Sequence, residues 1–319
     1  MEQKILVVGS SGNMGGLTTQ RALAEGYGMM PFGIDVLNKM VISFGKPVVN
    51  FDTLNQPQFQ GANDTWLDLI RKNKPIIIDF THKSVILDNF NNHYKHWGCP
   101  LIVGTIGVKK EDFVGNTAPV IIGSPNLCPQ IVAILKAFSS LEEGSLKGIK
   151  FAIDESHQAS KKEISGTAIY MKELFERAGA IEKEPIYVIR NKEEQLRMGV
   201  PEEFLDGHGW HMYRFLVDPV NGDPNCLTDI LSKWFLKVAS RRLEREDRDV
   251  VGKWESEDKT LAINVRFYAP LHGCDIMIEF FHDVNGRQPY SNGLFETVLP
   301  KMKEMVEVGN NVVYDMFNL

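Results

Sequence analysis

The sequence has few cysteines, no long hydrophobic run and no excess of basic residues. Its four cysteines, at positions 99, 128, 226 and 274, lie far apart in a chain of 319 residues. Sparse cysteines without a pairing pattern are typical of free thiols in a reducing compartment, so no disulfide framework is expected. The net charge of −6 and the lack of a basic stripe argue against a nucleic-acid partner.

The missing hydrophobic runs exclude two further classes of protein. The first apolar run, Ile5–Val8, is too short for the core of a signal peptide, and no run reaches the length of a membrane span. We therefore expect a cytoplasmic protein without a membrane partner, with a plastid location after removal of a transit peptide as the alternative. A hydrophobic content of 43% is ordinary for globular proteins, and the length suits one large domain or two.

The first 145 residues alternate short apolar runs with helical segments. The apolar runs are predicted strands, at 5–8, 29–34, 75–80, 100–103 and 119–122. The segments between them favour helices, at 16–25, 64–72 and 83–96. Continuous apolar strands separated by helices are typical of a parallel sheet that is covered on both faces. The pattern predicts a doubly wound α/β domain, with ligands beyond the carboxyl ends of its strands.

A glycine-rich turn follows the first predicted strand. Residues 9–16 read GSSGNMGG, a G-x-x-G-x-x-G pattern that is a shifted form of the dinucleotide fingerprint. Such glycines allow a tight turn and let backbone N–H groups approach a pyrophosphate at a helix N-terminus. Asp35, twenty residues after Gly15, can accept hydrogen bonds from the adenosine ribose hydroxyls. The carboxylate favours NADH, and the nearby Lys39 keeps NADPH open as the alternative.

The second half of the chain carries longer, partly alternating apolar runs. They predict strands, at 150–153, 186–189, 210–217, 261–268 and 276–282. Helices are expected from about Ala168 and over 227–242, and the pattern is typical of an antiparallel or mixed sheet with helices on one face. The charged run 241–249 is interpreted as a solvated helix end or loop. A final helix over about 293–316 is expected to pack on the first domain.

The segment 155–168, ESHQASKKEISGTA, is a polar part of this second half. It leads from a predicted strand into a predicted helix, so Ser165, Gly166 and Thr167 are expected at the helix N-terminus. Ser165 or Thr167 can cap the helix, and Gly166 lets a ligand come close to backbone N–H groups. A helix N-terminus of this kind is a candidate anion site.

Two titratable residues are expected on the loop before this helix. His157 would add a proton donor and Lys161 a positive charge. Because histidine titrates near neutrality, it can protonate a centre that becomes basic when a hydride arrives. A small dicarboxylate at the helix end would have both residues within reach. The alternative is an ordinary solvated loop before a common helix cap.

Two histidine patterns raise the question of a metal site. His93, His96 and Cys99 have the spacing of metal ligands, and His208 and His211 lie close together in sequence. The first group is expected at an exposed helix end far from the ligand edge, and a structural role is favoured for the second. The prediction is therefore that the chain holds no metal.

Several of these motifs together resemble one known family. They are GSSGNMGG, IDFTHKS at 78–84, VGTIG at 103–107, SPN at 124–126 and ESHQASKKEISGTA. The combination resembles dihydrodipicolinate reductase, or 4-hydroxy-tetrahydrodipicolinate reductase, of lysine and diaminopimelate biosynthesis, whose signature is E-x-H-H-x-x-K followed by S-G-T-A. The resemblance covers residues 1 to about 215 and about 276 to the end, and GVPEEFLDGH at 199–208 is similar to the plant branch.

The resemblance implies a fold and an activity. The fold is a Rossmann-type doubly wound parallel sheet over 1–129 and 294–319, and a central α+β domain with a mixed sheet over 130–293. The activity is the reduction of 4-hydroxy-tetrahydrodipicolinate, a small cyclic dicarboxylate, to tetrahydrodipicolinate by NADH or NADPH. The central domain also implies a homodimer or homotetramer.

The resemblance also implies roles for individual residues. His157 is the implied general acid, and Lys161 contacts the substrate and can supply a proton. Substrate contacts are implied for Gln158, Lys161, Ser165, Gly166 and Thr167. Cofactor contacts are implied for residues at strand ends, namely Gly9, Ser11, Gly12, Asn13, Met14, Gly15, Asp35, Phe80, Thr81, Gly104, Thr105, Pro125 and Asn126.

Three departures from the family pattern leave room for other functions. Gln158 replaces the second histidine of the signature, the run from Lys161 to SGTA is one residue shorter than the common bacterial one, and residues 218–270 match no part of the pattern. One alternative is therefore a reductase of a different cyclic imine or enamine. A non-catalytic NAD(P)-binding regulator is another, although such a protein would need neither His157 nor Lys161.

Overall fold

The computed structural model describes residues 3–35, 41–43, 46–56, 64–123, 126–218, 220–246, 249–268 and 276–316. The chain divides into two compact units. The first comprises residues 1–127 and 290–319, and the second comprises residues 128–289. Within the described ranges, every helix is too short or too polar to cross a membrane.

The first unit begins with short apolar strands that alternate with helices. The strands are β1 Ile5–Val8, β2 Gly33–Ile34, β3 Val41–Ser43, β4 Lys46–Val49, β5 Ile76–Asp79, β6 Leu101–Val103 and β7 Val120–Ile122. The helices are α1 Asn13–Ala24, α2 Trp66–Asn73, α3 Lys83–Asn89 and α4 Lys95–Trp97, the last two joined by a π-helical turn over Phe90–Tyr94. Every residue of β1, β5, β6 and β7 is buried, which explains the unbroken apolar runs in the sequence.

The second unit carries longer strands. They are β8 Ile149–His157, β9 Ile181–Glu182, β10 Tyr187–Ile189, β11 His208–Val217, β12 Glu244–Glu246, β13 Asp249–Glu255, β14 Leu261–Tyr268 and β15 Ile276–Asn285. Its helices are α5 Pro129–Ser139, α6 Gly166–Arg177, α7 Lys192–Arg197 and α8 Asn225–Ala239. Short 3₁₀ turns lie at Phe51–Thr53, Lys110–Phe113 and Glu202–Phe204.

The chain then returns to the first unit. Helix α9 covers Gln288–Gly293, a π-helical turn covers Leu294–Val298, and α10 covers Leu299–Glu307 before the last strand, β16 Val313–Asp315. Arg21 of α1 donates to the Asn292 side chain at 2.7 Å, and Tyr27 packs edge-on against Phe295. The returning segment therefore packs on the first unit, as expected.

Two sheets of different kinds organise the described residues. The first has the order β16-β7-β6-β5-β1-β2-β4-β3, with parallel pairing throughout except for the edge strand β3. The second has the order β10-β8-β11-β15-β14-β13-β12, with β9 also paired to β8. β9 and β10 are parallel to β8, whereas the other pairs are antiparallel. The predicted fold class, a doubly wound parallel sheet with a second mixed sheet, is confirmed.

Helices cover one face of the second sheet. Phe138 of α5, Phe175 of α6 and Trp234 of α8 pack against rings of β11 and β15, including Phe215 and Phe280. Along β11, the alternate residues Tyr213, Phe215 and Val217 are therefore fully buried. The side chains between them, such as Met212 and Leu216, are only half-buried. This face bears no helix within the described part of the chain.

Several predicted elements were wrong in extent or kind. The charged run 241–249 was expected to be a helix end or loop, but its backbone enters β12 and begins β13; residues 247–248 lie outside the described part. The final helix ends at Glu307 rather than near residue 316, because the chain then pairs with β7 as β16. β8 extends to His157, so this residue ends a strand instead of lying on a loop.

Candidate active site

The glycine turn connects β1 directly to α1. Gly9 has a φ of +75°, a backbone conformation that side chains rarely adopt. A Cβ on Gly15 would overlap the carbonyl oxygen of Gly9, so only glycine fits there. Gly12 is the N-cap of α1 and supplies no side-chain cap, and Asn13 and Met14 open the helix. The turn thus leaves a helix N-terminus of the kind that binds phosphate.

Asp35 lies directly after β2, next to this turn. Its Oδ2 accepts hydrogen bonds from the backbone N–H of Ser11, at 3.0 Å, and from the Ser11 hydroxyl. Asp35 is buried, with 6% of its surface exposed. The structure therefore places Asp35 beside the glycine turn, as the spacing in the sequence predicts. A site for a ribose and a pyrophosphate requires this arrangement.

The ends of β5 and β6 meet at the same edge. Gly104 has no room for a Cβ because the Phe80 ring fills that space. The Thr105 hydroxyl donates to the Thr81 carbonyl at 2.5 Å, and the Thr81 hydroxyl donates to the buried Asp79 at 2.6 Å. Burial raises the pKa of Asp79, which also accepts from Tyr94 and Asn89. Asn126 is buried in the same unit, and Pro125 lies outside the described residues.

In the second unit, Glu155 is the centre of a buried polar network. It lies near the end of β8 and has no exposed surface. Its Oε1 accepts from Arg190 Nη2 at 2.6 Å, and its Oε2 accepts from the Ser165 backbone N–H at 2.9 Å. The imidazoles of His157 and His211 lie 3.6 Å and 3.9 Å from Oε2.

His157 is fixed in one orientation at the end of β8. Its Nδ1 donates to the His208 carbonyl oxygen at 2.9 Å, which leaves the lone pair on Nε2 when the ring is neutral. Nε2 is buried and has no hydrogen-bond partner among the described residues. Burial, and then the positive charges of Lys161 and Arg190, lower the pKa of His157 to about 2. The ring is therefore neutral at pH 7 in the unliganded protein.

The N-terminus of α6 lies beside this network. Ser165 is the N-cap, and its hydroxyl oxygen accepts from the Thr167 backbone N–H at 3.2 Å. The same hydroxyl lies 2.9 Å from His211 Nε2. The helix begins at Gly166, two residues earlier than predicted, so Gly166 and Thr167 are its first two residues. Of the two candidate caps, Ser165 and Thr167, the structure has Ser165 at the N-cap.

Lys161 lies between β8 and α6, in a segment whose neighbours are exposed. Its backbone N–H donates to the Gln158 carbonyl at 2.9 Å, which closes a turn. Lys161 and Gln158 are both half-buried. Burial lowers the pKa of the Lys161 ammonium group, Glu155 opposes this, and Arg190 lowers it further. The structure thus brings Lys161, His157 and the start of α6 around the same carboxylate.

Glu155, His157 and His211 also offer three ligand atoms within 4.8 Å of one another, the one set that the described residues contain. Both oxygens of Glu155 already accept hydrogen bonds, and Arg190 and Lys161 add positive charge. These groups favour an anion rather than a metal ion. The first histidine pattern has a different setting, because the His93 ring stacks on Phe51 and burial raises the pKa of Cys99 to about 12.

Sequence reasoning assigned no role to Glu155, Arg190 or Gln195. Gln195 Nε2 donates to the His157 carbonyl at 2.7 Å and joins the end of β8 to the region of α7. Glu155 opens the polar segment, and Arg190 directly follows a predicted strand, which are the available signals. The parallel pairing of β10 with β8, Val188 opposite Glu155, is what brings them together.

The parallel sheet, the glycine turn with its acid, and the polar network define a class of protein: an oxidoreductase with a Rossmann-type dinucleotide-binding domain. Residues 3–115 match the family model of the dihydrodipicolinate reductase N-terminus. The match covers about a third of the chain and lies within the first unit.

Plant proteins are similar to this chain over most or all of its length. The chain is 26% identical to "Probable 4-hydroxy-tetrahydrodipicolinate reductase 1, chloroplastic" of Oryza sativa subsp. japonica, over 99% of this chain and 78% of that protein. It is also 26% identical to "4-hydroxy-tetrahydrodipicolinate reductase 2, chloroplastic" of Arabidopsis thaliana, over 99% and 76%. Reductase 1 of Arabidopsis thaliana is 30% identical, over 66% of this chain and 62% of that protein.

Proposed function

We propose that this protein reduces 4-hydroxy-tetrahydrodipicolinate to tetrahydrodipicolinate with NADH or NADPH, and that the 4-hydroxyl group of the substrate leaves as water. The observation that carries the proposal is the cluster of Lys161, His157 and the N-terminus of α6, which suits a small cyclic dicarboxylate. The names of the plant relatives support the same substrate.

The cofactor is proposed to bind at the turn between β1 and α1. The missing Cβ atoms of Gly9 and Gly15 and the uncapped start of α1 fit a pyrophosphate, and Asp35 fits a ribose. Phe80, Thr81, Gly104 and Thr105 are proposed to line the site at the neighbouring strand ends. When bound, NADH or NADPH supplies the hydride that reduces the substrate ring.

The substrate carboxylates are proposed to bind at the start of α6. The first N–H groups of a helix have no intrahelical partner, and the helix dipole favours negative charge there. Gly166 permits a close approach, the Thr167 hydroxyl can donate, and the Lys161 ammonium group adds charge-assisted hydrogen bonding. Gln158, on the turn before Lys161, is proposed to contact the rim of the substrate.

His157 is proposed to deliver the balancing proton from Nε2, with Lys161 as the second proton source. The neutral ring of the unliganded protein must first gain this proton. Burial, and then the positive charges of Lys161 and Arg190, hold the pKa of His157 down, and two substrate carboxylates would offset these charges. Substrate binding therefore raises the pKa of His157 and favours its protonation at the step that needs it.

A coupled assay tests the proposal. Substrate is generated from pyruvate and aspartate semialdehyde while the loss of NADH and of NADPH is followed in parallel. Rapid oxidation of either cofactor is the expected result. Oxidation only with simple cyclic imines would favour a different reductase. Tight cofactor binding without oxidation of any substrate would favour a non-catalytic regulator.

We also propose a homodimer or homotetramer that works in the cytoplasm. The helix-free face of the second sheet, with half-buried Met212 and Leu216, supports self-association. The relatives named above are chloroplastic, so fractionation of the source cells is the test of location.

A further inference from the structure

The backbone between His157 and α6 has little packing of its own. Residues 159–160 and 162–164 are exposed, and no strand or helix covers them in the described structure. Exposed segments with few buried contacts open readily. Lys161 and Ser165 belong to this segment, so some other contact must hold them in place for a rigid substrate.

Arg190 provides contacts to the first part of the segment. Its Nε donates to the Lys161 carbonyl at 2.9 Å, and its Nη2 donates to the Glu163 carbonyl at 3.2 Å. Its Nη1 donates to the carbonyl of its neighbour Ile189 at 2.9 Å. The planar guanidinium thus holds the backbone on both sides of residue 162, which an ammonium group with one nitrogen cannot reproduce.

Glu155 provides the contact to the second part. One of its oxygens binds Arg190, and the other accepts the backbone N–H of Ser165. The carboxylate therefore links the clamp on Lys161 to the cap of α6 through one buried side chain. A buried ion pair is rarely the best choice for stability alone, because a well-packed apolar pair does as well. An apolar pair could not bind two carbonyls and an N–H.

We propose that Glu155 and Arg190 are positioning residues that hold Lys161 and the start of α6 at the separation that a dicarboxylate requires. The inference rests on the proposed function. Neither side chain needs to touch the substrate. Both act through the backbone of residues 161–165, and the pair acts as one unit.

The test compares Arg190→Lys, Glu155→Gln and the double variant with the wild-type protein. Arg190→Lys keeps the charge but loses the clamp on the two carbonyls. The readouts are the Kd of pyridine-2,6-dicarboxylate, a planar dicarboxylate probe, by calorimetry, and the KM values for substrate and cofactor. Arg177→Lys is the matched control, since Arg177 also donates to a carbonyl, Ser139 at 2.7 Å, but at the far end of α6.

Each single variant should weaken probe binding and raise the substrate KM by about tenfold or more, with the cofactor KM unchanged. The double variant should be no worse than the poorer single variant, because the pair acts as a unit. A Kd within twofold of wild type for Arg190→Lys, or fully additive losses in the double variant, would overturn the proposal.

Two further measurements cover poor folding of a variant and failure of the proposed reaction. If Glu155→Gln folds poorly, hydrogen exchange in Arg190→Lys replaces it: the amides of residues 161–165 should exchange faster while those of α8 do not, and equal protection would contradict the clamp. Probe binding is measured without turnover. A wild-type protein that binds the probe but reduces no substrate would therefore contradict the proposed reaction. The positioning roles of Glu155 and Arg190 would still be tested by probe binding alone.

Discussion

At the scale of single residues, the site around Glu155 combines a buried carboxylate, two cationic side chains and neutral histidines. Glu155 is shared by Arg190 and Ser165, and it lies within 4 Å of His157 and His211. The sequence predicts His157, Lys161 and Ser165 from residue chemistry and family resemblance. The roles of Glu155 and Arg190 were missed because the two side chains pair across 35 positions of the chain.

The residue with the clearest expected effect on turnover is His157. His157→Ala removes the proton donor, so kcat should fall by about a hundredfold or more while the cofactor KM stays the same. Steady-state kinetics in the coupled assay measure both. The exposed His96→Ala variant is the control and should match the wild type. Unchanged turnover in His157→Ala would remove this residue from the proton transfer.

Substitution of Gly15 should strongly weaken binding of the cofactor. In Gly15→Ala the new methyl group overlaps the Gly9 carbonyl, so the turn must shift and cofactor binding should weaken by at least about a hundredfold. In Gly12→Ala the Cβ would lie 3.2 Å from the same oxygen, a strain that small movements relieve, so the loss should be much smaller. Titration of NADH fluorescence compares the two variants, and equal affinities would contradict the role of the turn.

At the scale of elements, two strands were predicted with their ends. β1 and β14 have the predicted ends, because their apolar runs are short and fully or alternately buried. β12 and β16 were missed, because pairing with the adjacent β13 and with the distant β7 overrides a local pattern that favours a loop or a helix. The contact between Arg190 and Glu155 could not be predicted for the same reason, because it depends on the pairing of β8 with β10.

A row of polar side chains crosses three strands of the second sheet. Glu155, His211 and His282 occupy directly paired positions on β8, β11 and β15. The His211 and His282 rings lie 4.8 Å apart, and the Tyr213 hydroxyl lies 3.3 Å from His282 Nε2. Burial lowers the pKa of His282 to about 3 and that of His211 well below its usual range. Both rings are therefore neutral in the folded protein near pH 7.

This row predicts a dependence of stability on pH. The pKa of His282 is about 3 in the folded protein and about 6.5 when unfolded. The unfolded state therefore takes up the proton first, and the contribution of His282 to stability is lost as the pH falls from about 6.5 towards 3. The slope for one such histidine is about 1.4 kcal/mol per pH unit.

His282→Gln removes that slope while keeping a partner for Tyr213. Between about pH 6 and 4, the free energy of unfolding of the wild type should fall faster than that of the variant, by about 1.4 kcal/mol per pH unit. Urea unfolding at several pH values measures the difference. Asp283, whose pKa burial raises to about 7, acts with the opposite sign but is common to both proteins. Parallel curves would show that His282 is not neutral in the folded state.

At the scale of the whole molecule, both sheets and their order follow from the sequence only in outline. The alternation of apolar runs and helices predicts a parallel sheet. Residues 218–270 match no motif of the resemblance, but they lie within the 99% of the chain that two plant relatives match. They add β12, β13 and β14, which extend the second sheet, and α8, which packs on α5. The charged run 241–249 joins the sheet because the paired strands β12 and β13 form backbone hydrogen bonds with each other. Its residue pattern alone does not predict a strand.

Self-association is the prediction that belongs to this scale. Light scattering after size-exclusion chromatography should give the mass of two or four chains of 36.0 kDa. Phe281→Glu and Met212→Glu place charges on the helix-free sheet face and should shift the protein towards the monomer. Val220→Asp, at a position that is 85% exposed, is the control. A wild-type monomer at micromolar concentration would contradict the proposal.

We propose above that Lys161, His157 and the start of α6 hold a cyclic dicarboxylate while its ring accepts a hydride from the cofactor. The most direct measurement uses NADH or NADPH that carries deuterium at the reactive position of the nicotinamide ring, with substrate made in situ. We expect tetrahydrodipicolinate that carries one deuterium for each cofactor oxidised, and little labelled product from His157→Ala. Cofactor that stays reduced, or product without deuterium, would contradict it.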